Sequence, residues 1–302
     1  MRLKHVLWIG GPPGSGKTTI ATRLARRHGL RLYSADTQTW AHRGRALAAG
    51  VAAAHRWEAL TPGERWERST PAELFEMSLH RERGSMVVDD LRALPTSPLV
   101  VAEGSTLSPS AVSSGIAERA RAVWLIPTAT FQRVQLASRE MTSGHAQLSL
   151  LLSEVIEREA RKHDAPTICV DGSKSIAEAT DEVELLFADA ITAGSRARTL
   201  DTRQALLRET NEAIVAQVYG YHARAWAEGD PEVVVREFVC ECGDPACDVD
   251  MQLPVGDVAA GPVQAPGHSL EGLLKCDYPA GTALDDGDVV HQFSSTEHTL
   301  SK

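Results

Sequence analysis

Hydrophobic positions over roughly the first 190 residues gather into short continuous runs, separated by longer stretches with helical spacing. Short apolar runs of this kind read as buried strands, and one-sided helical spacing reads as amphipathic helix. Residues 6–9 (VLWI) form the first run. Residues 18–28 follow with Ile20 and Leu24 in helical register and stop at Gly29. Further strands are expected over 30–34, 99–102, 122–126 and 167–170, the last ended by Asp171-Gly172. Helices are expected over 64–83, 86–93, 109–120, 128–140, 146–163 and 175–193. This alternation predicts an α/β fold, a doubly wound parallel sheet with helices on both faces. Residues 37–63 show little periodicity and read as an inserted helical or loop segment over the site.

Three regions follow from this pattern. A first domain spans 1–193, a linker spans 194–201, and an acidic Cys-rich α+β domain spans 202–302. The last region opens on a helix from 202 to about 226 and continues into FVCECGDPACDVDMQL and short strand candidates.

Composition and charge narrow the functional classes. Of 302 residues, 43% are hydrophobic and 24% charged, which fits a folded chain with a real core. The net charge of −9 is uneven: residues 1–200 hold 25 Lys/Arg against 22 Asp/Glu, and residues 201–302 hold 6 against 18. An acidic C-terminal third repels a phosphate backbone and argues against nucleic-acid binding. No run approaches the ~18 apolar residues of a membrane span. The start resembles a signal peptide, but its apolar run breaks at Gly10-Gly11-Pro12, so a cytoplasmic protein is expected.

Residues 11–18 (GPPGSGKT) fit the G-x-x-x-x-G-K-[ST] phosphate loop, with a strand before and a helix after. Glycines allow the backbone to wrap an anion with its N–H groups, and the helix beginning near Gly16 adds its positive end. Gly11, Gly14, Ser15, Gly16, Lys17, Thr18 and Thr19 are therefore the candidate ATP-binding residues. Lys17 is expected on the β/γ-phosphates and Thr18 on Mg²⁺. In an open α/β sheet, ligands bind beyond the carboxyl ends of strands, where Asp36 and Glu103 stand. Asp36 is the candidate base for an acceptor hydroxyl, with a helix N-cap or turn role as its alternative. Glu103 is the candidate for Mg²⁺ or water ordering, with a loop acid as its alternative. Arg133 and Arg139, after the 122–126 strand, are the candidate cations for the transferring phosphoryl group.

The pieces VLWIGGPPGSGKTTIATRLA, LYSAD, VVAEG, VWLIPT and VDGS resemble the small nucleoside- and metabolite-kinase branch of the P-loop NTPase fold. Within it they are similar to the AAA-type zeta toxin/chloramphenicol phosphotransferase-like group. The resemblance covers about residues 4–192. It implies an Asp after the second strand acting on the acceptor hydroxyl, matched by Asp36, and lid arginines, matched by Arg133 and Arg139. Segment 37–97, with Trp40, Trp57 and Trp66, corresponds to no acceptor pocket of that group.

Cys240, Cys242 and Cys247 lie within eight residues on a turn built by Gly243 and Asp244-Pro245. Three thiols in a chain without an export signal read as a metal or redox cluster. Tetrahedral zinc takes four ligands, and Cys276 and His268 are available for the fourth. Three reduced structural thiols are the alternative. The stretches LRETNEAI, REFVCECGDPAC and APGH, over about 203–270, resemble a small actinobacterial module of unknown role.

The expected activity is transfer of the ATP γ-phosphate, with Mg²⁺, to a hydroxyl of a small-molecule acceptor. The alternative is a nucleotide switch, a P-loop ATPase that acts on a protein partner through the Cys-rich region.

Overall fold

The computed structural model describes residues 2–138 and 141–270. Five parallel strands form one sheet in the order β2-β3-β1-β4-β5: β1 (Val6–Gly10), β2 (Arg31–Ser34), β3 (Val100–Gly104), β4 (Ala122–Pro127) and β5 (Thr167–Val170). The protein is thus α/β with a five-stranded parallel sheet. Strand alternation splits the core. Val6, Trp8, Val100, Ala102, Ala122 and Trp124 join one buried cluster, while Leu7, Ile9, Val101, Val123 and Leu125 join another on the opposite face.

The second face is covered by α1 (Lys17–His28) and α9 (Ile176–Ala193), through Ile20, Leu24, Val183 and Phe187. The first face is covered by the segment between β2 and β3 together with α8 (Ser143–Lys162). That segment holds α2 (Thr39–Ala48), α3 (Ala52–Ala59), a π-helical turn at Glu64–Arg68, α4 (Pro71–Met77) and α5 (His80–Ala93). The expected single helix over 64–83 is therefore broken. Thr70 starts α4 with a capping box to Glu73 and Pro71 at the first position, and Leu79 sits left-handed at φ 57° before α5. The helix expected at 86–93 is the second half of α5. The one expected over 109–120 shrinks to α6 (Ser110–Ser113). The irregular 37–63 stretch packs through charge and rings instead of a plain apolar stripe. Arg43 and Arg65 each lie 4.3 Å from the Trp57 ring, and Arg65 lies 4.1 Å from Trp226. Glu58 accepts the Trp226 indole N–H at 2.6 Å.

After β4 come α7 (Ala129–Ala137) and α8. After α9, backbone bonds fasten the chain to the rest: Leu99 N–H donates to Ser195 O and Ala197 N–H to Gly29 O, both at 2.8 Å. Then come α10 (Leu200–His222), the antiparallel pair β6 (Val235–Val239) and β7 (Asp250–Pro254), and α11 (Val255–Ala260). Val218, Phe238, Val255, Val258 and Val263 form their core. The chain up to Leu270 makes one compact unit.

One glycine holds the site's floor together. A Cβ on Gly10, the last residue of β1, would lie 2.0 Å from the Trp124 indole nitrogen. That indole is fully buried and donates to Leu107 O at 3.0 Å, so it has nowhere to retreat. Gly10→Ala is expected to cost about 3 kcal/mol or more, at the upper end of overpacking penalties. Urea denaturation of wild type and variant measures it.

Candidate functional site

β1 lies between β3 and β4, so the crevice beyond its carboxyl end is where the chain's strand order turns. The loop after β1 fills that crevice. Gly11, Gly14 and Gly16 have φ of 145°, 83° and 81°, values that a side chain resists. α1 starts at Lys17 without a side-chain cap, which leaves the N–H groups of its first turn without intrahelical acceptors. Ser15 is 1% exposed and its hydroxyl has no partner among the described residues. Lys17 is buried and forms no ion pair there. Free N–H groups, an orphaned hydroxyl and a buried ammonium together suit an anion.

Strand register brings the next group in. Glu103 on β3 pairs with Ile9 on one side and Ser34 on the other. Its carboxylate is fully buried, accepts from Thr18 Oγ1 at 3.0 Å and accepts from the Ser34 hydroxyl. Burial pushes the Glu103 pKa up, and Asp36 adds to this, while Lys17, Ser34 and Thr18 work against it. The structure therefore unites Lys17, Thr18 and Glu103. Ser34, which carried no signal of its own in the sequence, completes the cluster.

Asp36 follows β2 in a turn held by its own carbonyl, which accepts from Thr39 Oγ1 at 2.7 Å and Gln217 Nε2 at 3.0 Å. Its carboxylate forms no hydrogen bond among the described residues. Charged neighbours act on it from two elements: His80 and Arg83 on α5, and Glu103 on β3. Neither His80 nor Arg83 was singled out by the sequence, because both fall in the expected 64–83 helix, where a charged residue reads as part of a solvated face.

His80 is half-buried. Burial, with Arg83 and Arg81 nearby, pulls its pKa down to about 4. The unfolded chain binds this proton at ~6.5, before the folded one does, so stability is full above that pH and falls as pH drops towards 4. By pH 4.5 the loss attributable to His80 is expected to reach about 2–3 kcal/mol. A His80→Asn variant should lose correspondingly less stability between pH 7 and pH 4.5 in denaturant titrations.

Two cavities flank the start of α1, and Thr19 lines both. One, of about 280 Å³, is lined by Gly14, Ser15, Gly16, Phe131, Gln135 and Asp171 among others. The other, of about 180 Å³, runs from Thr18, Ser34 and Thr37 to Asp248 and Asp250. Arg133 lies on the exposed side of α7 and lines neither. The face of α7 against the loop instead carries Gln132, whose amide donates to Pro13 O at 3.0 Å. Arg139 lies outside the described residues.

A second cluster forms where 263–268 folds back on the cysteine turn. The ligand atoms of Cys240, Cys242, Cys247 and His268 all lie within 4.8 Å of one another, so these residues could hold a metal ion. His268 Nδ1 stands 3.5, 3.4 and 3.6 Å from the sulfurs of Cys240, Cys242 and Cys247. Tetrahedral zinc, with sulfur at ~2.3 Å and nitrogen at ~2.0–2.1 Å, sets those atoms about 3.6 Å apart. Backbone N–H groups also point at the thiols, Ala265 N–H donating to Cys240 Sγ at 3.4 Å. Burial raises the Cys242 thiol pKa and pushes that of Cys247 up to about 12. Without a metal these two groups hold protons at neutral pH. Cys276 lies outside the described residues, and His268 fills the fourth position within them. The cluster reaches the first site through ion pairs: Asp250 with Arg26, which is 4% exposed, and Asp248 with Arg23 at 3.6 Å.

No protein-family model and no curated protein matches this chain. Among the described residues, no helix is long and apolar enough to cross a membrane.

Proposed function

We propose that this protein is an ATP-dependent phosphotransferase of the P-loop type, moving the γ-phosphate to a hydroxyl of a small molecule. The observation that carries the reading is the cluster of buried Lys17 and Glu103 with Thr18 and Ser34 bonded to the Glu103 carboxylate, beside an uncommitted Asp36. The orphaned Ser15 hydroxyl and the free N–H groups of the loop fit a polyphosphate. Thr18 and Glu103 would hold Mg²⁺, which supplies charge neutralisation on the phosphates. Lys17 draws the β/γ-phosphates into the loop, and Asp36 takes the proton of the acceptor hydroxyl. The 280 Å³ cavity takes the nucleoside, with Phe131 as its ring wall. Zinc in the Cys240–Cys242–Cys247–His268 site is part of this reading, as a structural ion that closes all four positions.

Lys17→Ala tests the nucleotide half. A charge-assisted contact is worth about 1.5–3 kcal/mol, so ATP affinity is expected to fall about 10–100-fold by calorimetry. Thermal stability is expected to fall as well, because Lys17 is the cation that offsets the burial of the Glu103 carboxylate. Unchanged ATP affinity would defeat the assignment.

One observation favours a second reading. Arg23 and Arg26 of α1, the helix that starts at the loop, are held by Asp248 and Asp250 of the cysteine region. A nucleotide switch that signals through that region to a protein partner would use this connection and would not need Asp36.

A further inference from the structure

Behind Asp36 runs a chain of buried polar groups that the transfer reading leaves without a task. Arg83 is 7% exposed. Its Nη2 donates to the carbonyl of Ala35, the residue before Asp36. Its Nε donates to His42 Nδ1 at 3.3 Å. A guanidinium can only donate, so His42 Nδ1 must present its lone pair and the ring proton must sit on Nε2. His42 Nε2 meets Asp90 Oδ2 at 2.6 Å, which agrees. Asp90 also accepts from the Tyr33 hydroxyl at 2.7 Å and from Arg45 Nη1 at 2.6 Å. His42 is 1% exposed and both ring nitrogens are engaged, so the ring is fixed in one tautomer.

The far end of the chain faces the site. The Asp36 carboxylate favours the charged form of Arg83, with no ion pair formed between the two. The backbone supports this placement at a strained point. Leu79 is fully buried with φ 57°, an uncommon conformation for a side-chain-bearing residue, and it opens the helix that carries His80 and Arg83. Two elements thus hold the guanidinium directly, α2 through His42 and the turn after β2 through Ala35, while Asp90 stands behind His42.

We infer that Arg83 is the positioning residue for Asp36. The Asp90–His42 pair locks the guanidinium, which pins the Ala35–Asp36 turn and sets a fixed cation opposite the carboxylate. Arg83 acts through Asp36 and is assigned no contact with the phosphate. The inference rests on the phosphotransferase reading for the role of Asp36, and the lock itself can be read without any activity.

The test combines spectroscopy with turnover. In ¹⁵N-histidine-labelled full-length protein at pH 7, His42 is expected to show a protonated Nε2 and an unprotonated Nδ1. With γ-labelled ATP, Mg²⁺ and a small-molecule cell extract, Arg83→Met is expected to lower kcat about 100-fold, the effect of a misplaced reacting group. The KM for ATP should stay within about twofold, since the nucleotide contacts lie in the loop. Arg83→Lys, which keeps the charge, should recover about tenfold of that loss. Should Arg83→Met fail to fold, Asp90→Asn carries the same test from outside the site, with a smaller fall in kcat. A proton on Nδ1 of His42 overturns the lock. Unchanged kcat in Arg83→Met or Asp90→Asn, where Asp36→Asn abolishes transfer, overturns the positioning role alone. Wild-type turnover indifferent to Asp36→Asn removes the transfer reading, and the positioning role falls with it.

Discussion

Asp36→Asn is expected to lower phosphoryl transfer about 10²–10⁴-fold, the usual contribution of a positioned base, while ATP affinity stays within about twofold. The split follows from the proposed phosphotransferase reading. In the proposed reading the nucleotide contacts fall to the loop and to Lys17, Thr18 and Glu103, and the Asp36 carboxylate forms no hydrogen bond among the described residues that the amide would disturb. Its backbone bonds to Thr39 and Gln217 survive the substitution, so the turn should keep its shape. Single-turnover transfer and calorimetric ATP binding, measured on one preparation, check both halves. Equal loss of binding and turnover would mean that Asp36 holds the nucleotide, not the acceptor.

In the proposed reading zinc occupies the Cys240–Cys242–Cys247–His268 cluster, and stripping it is expected to unfold the β6–β7 region and loosen α1. Structural zinc contributes about 10–16 kcal/mol of binding in small modules, against about 5–15 kcal/mol for the stability of a whole domain. The apolar core of that region is a handful of valines with Phe238, too small to stand alone. Losing it would strand Arg26 without Asp250. Protein purified in reductant should contain one equivalent of zinc, and chelation should lower the melting temperature. Because burial raises Cys242 and Cys247, zinc uptake must expel their protons, so affinity should rise with pH. Metal-free protein with an unchanged melt would leave the cluster as packed thiols.

Local signals carried much of the fold. Residues 6–28 were readable because an apolar run, a glycine loop and an amphipathic helix follow in immediate succession, and the structure has β1 and α1 there. Asp36 and Glu103 were visible because they end strands. What joins Glu103 to Thr18 and Ser34 is strand register, a non-local quantity that no spacing reveals. Segment 37–97 was the least legible. Its helices are short and bury Arg43, Arg65 and Arg83 beside tryptophans and histidines, so hydrophobic periodicity misses the faces that are inside. The break before α4 did have a local signal in Ser69-Thr70-Pro71, an N-cap followed by a first-turn proline. The choice of His268 for the metal cluster depends on residues 263–268 folding back, which the cysteine spacing alone leaves open.

The most direct test of the central claim follows the γ-phosphate itself. Purified protein, Mg²⁺ and γ-labelled ATP are incubated with a small-molecule cell extract, beside the Asp36→Asn protein. Label on a new small molecule, formed by wild type and not by the variant, is the predicted result. Label found only as free phosphate, released slowly and equally by both proteins, would contradict a phosphotransferase and favour the nucleotide switch.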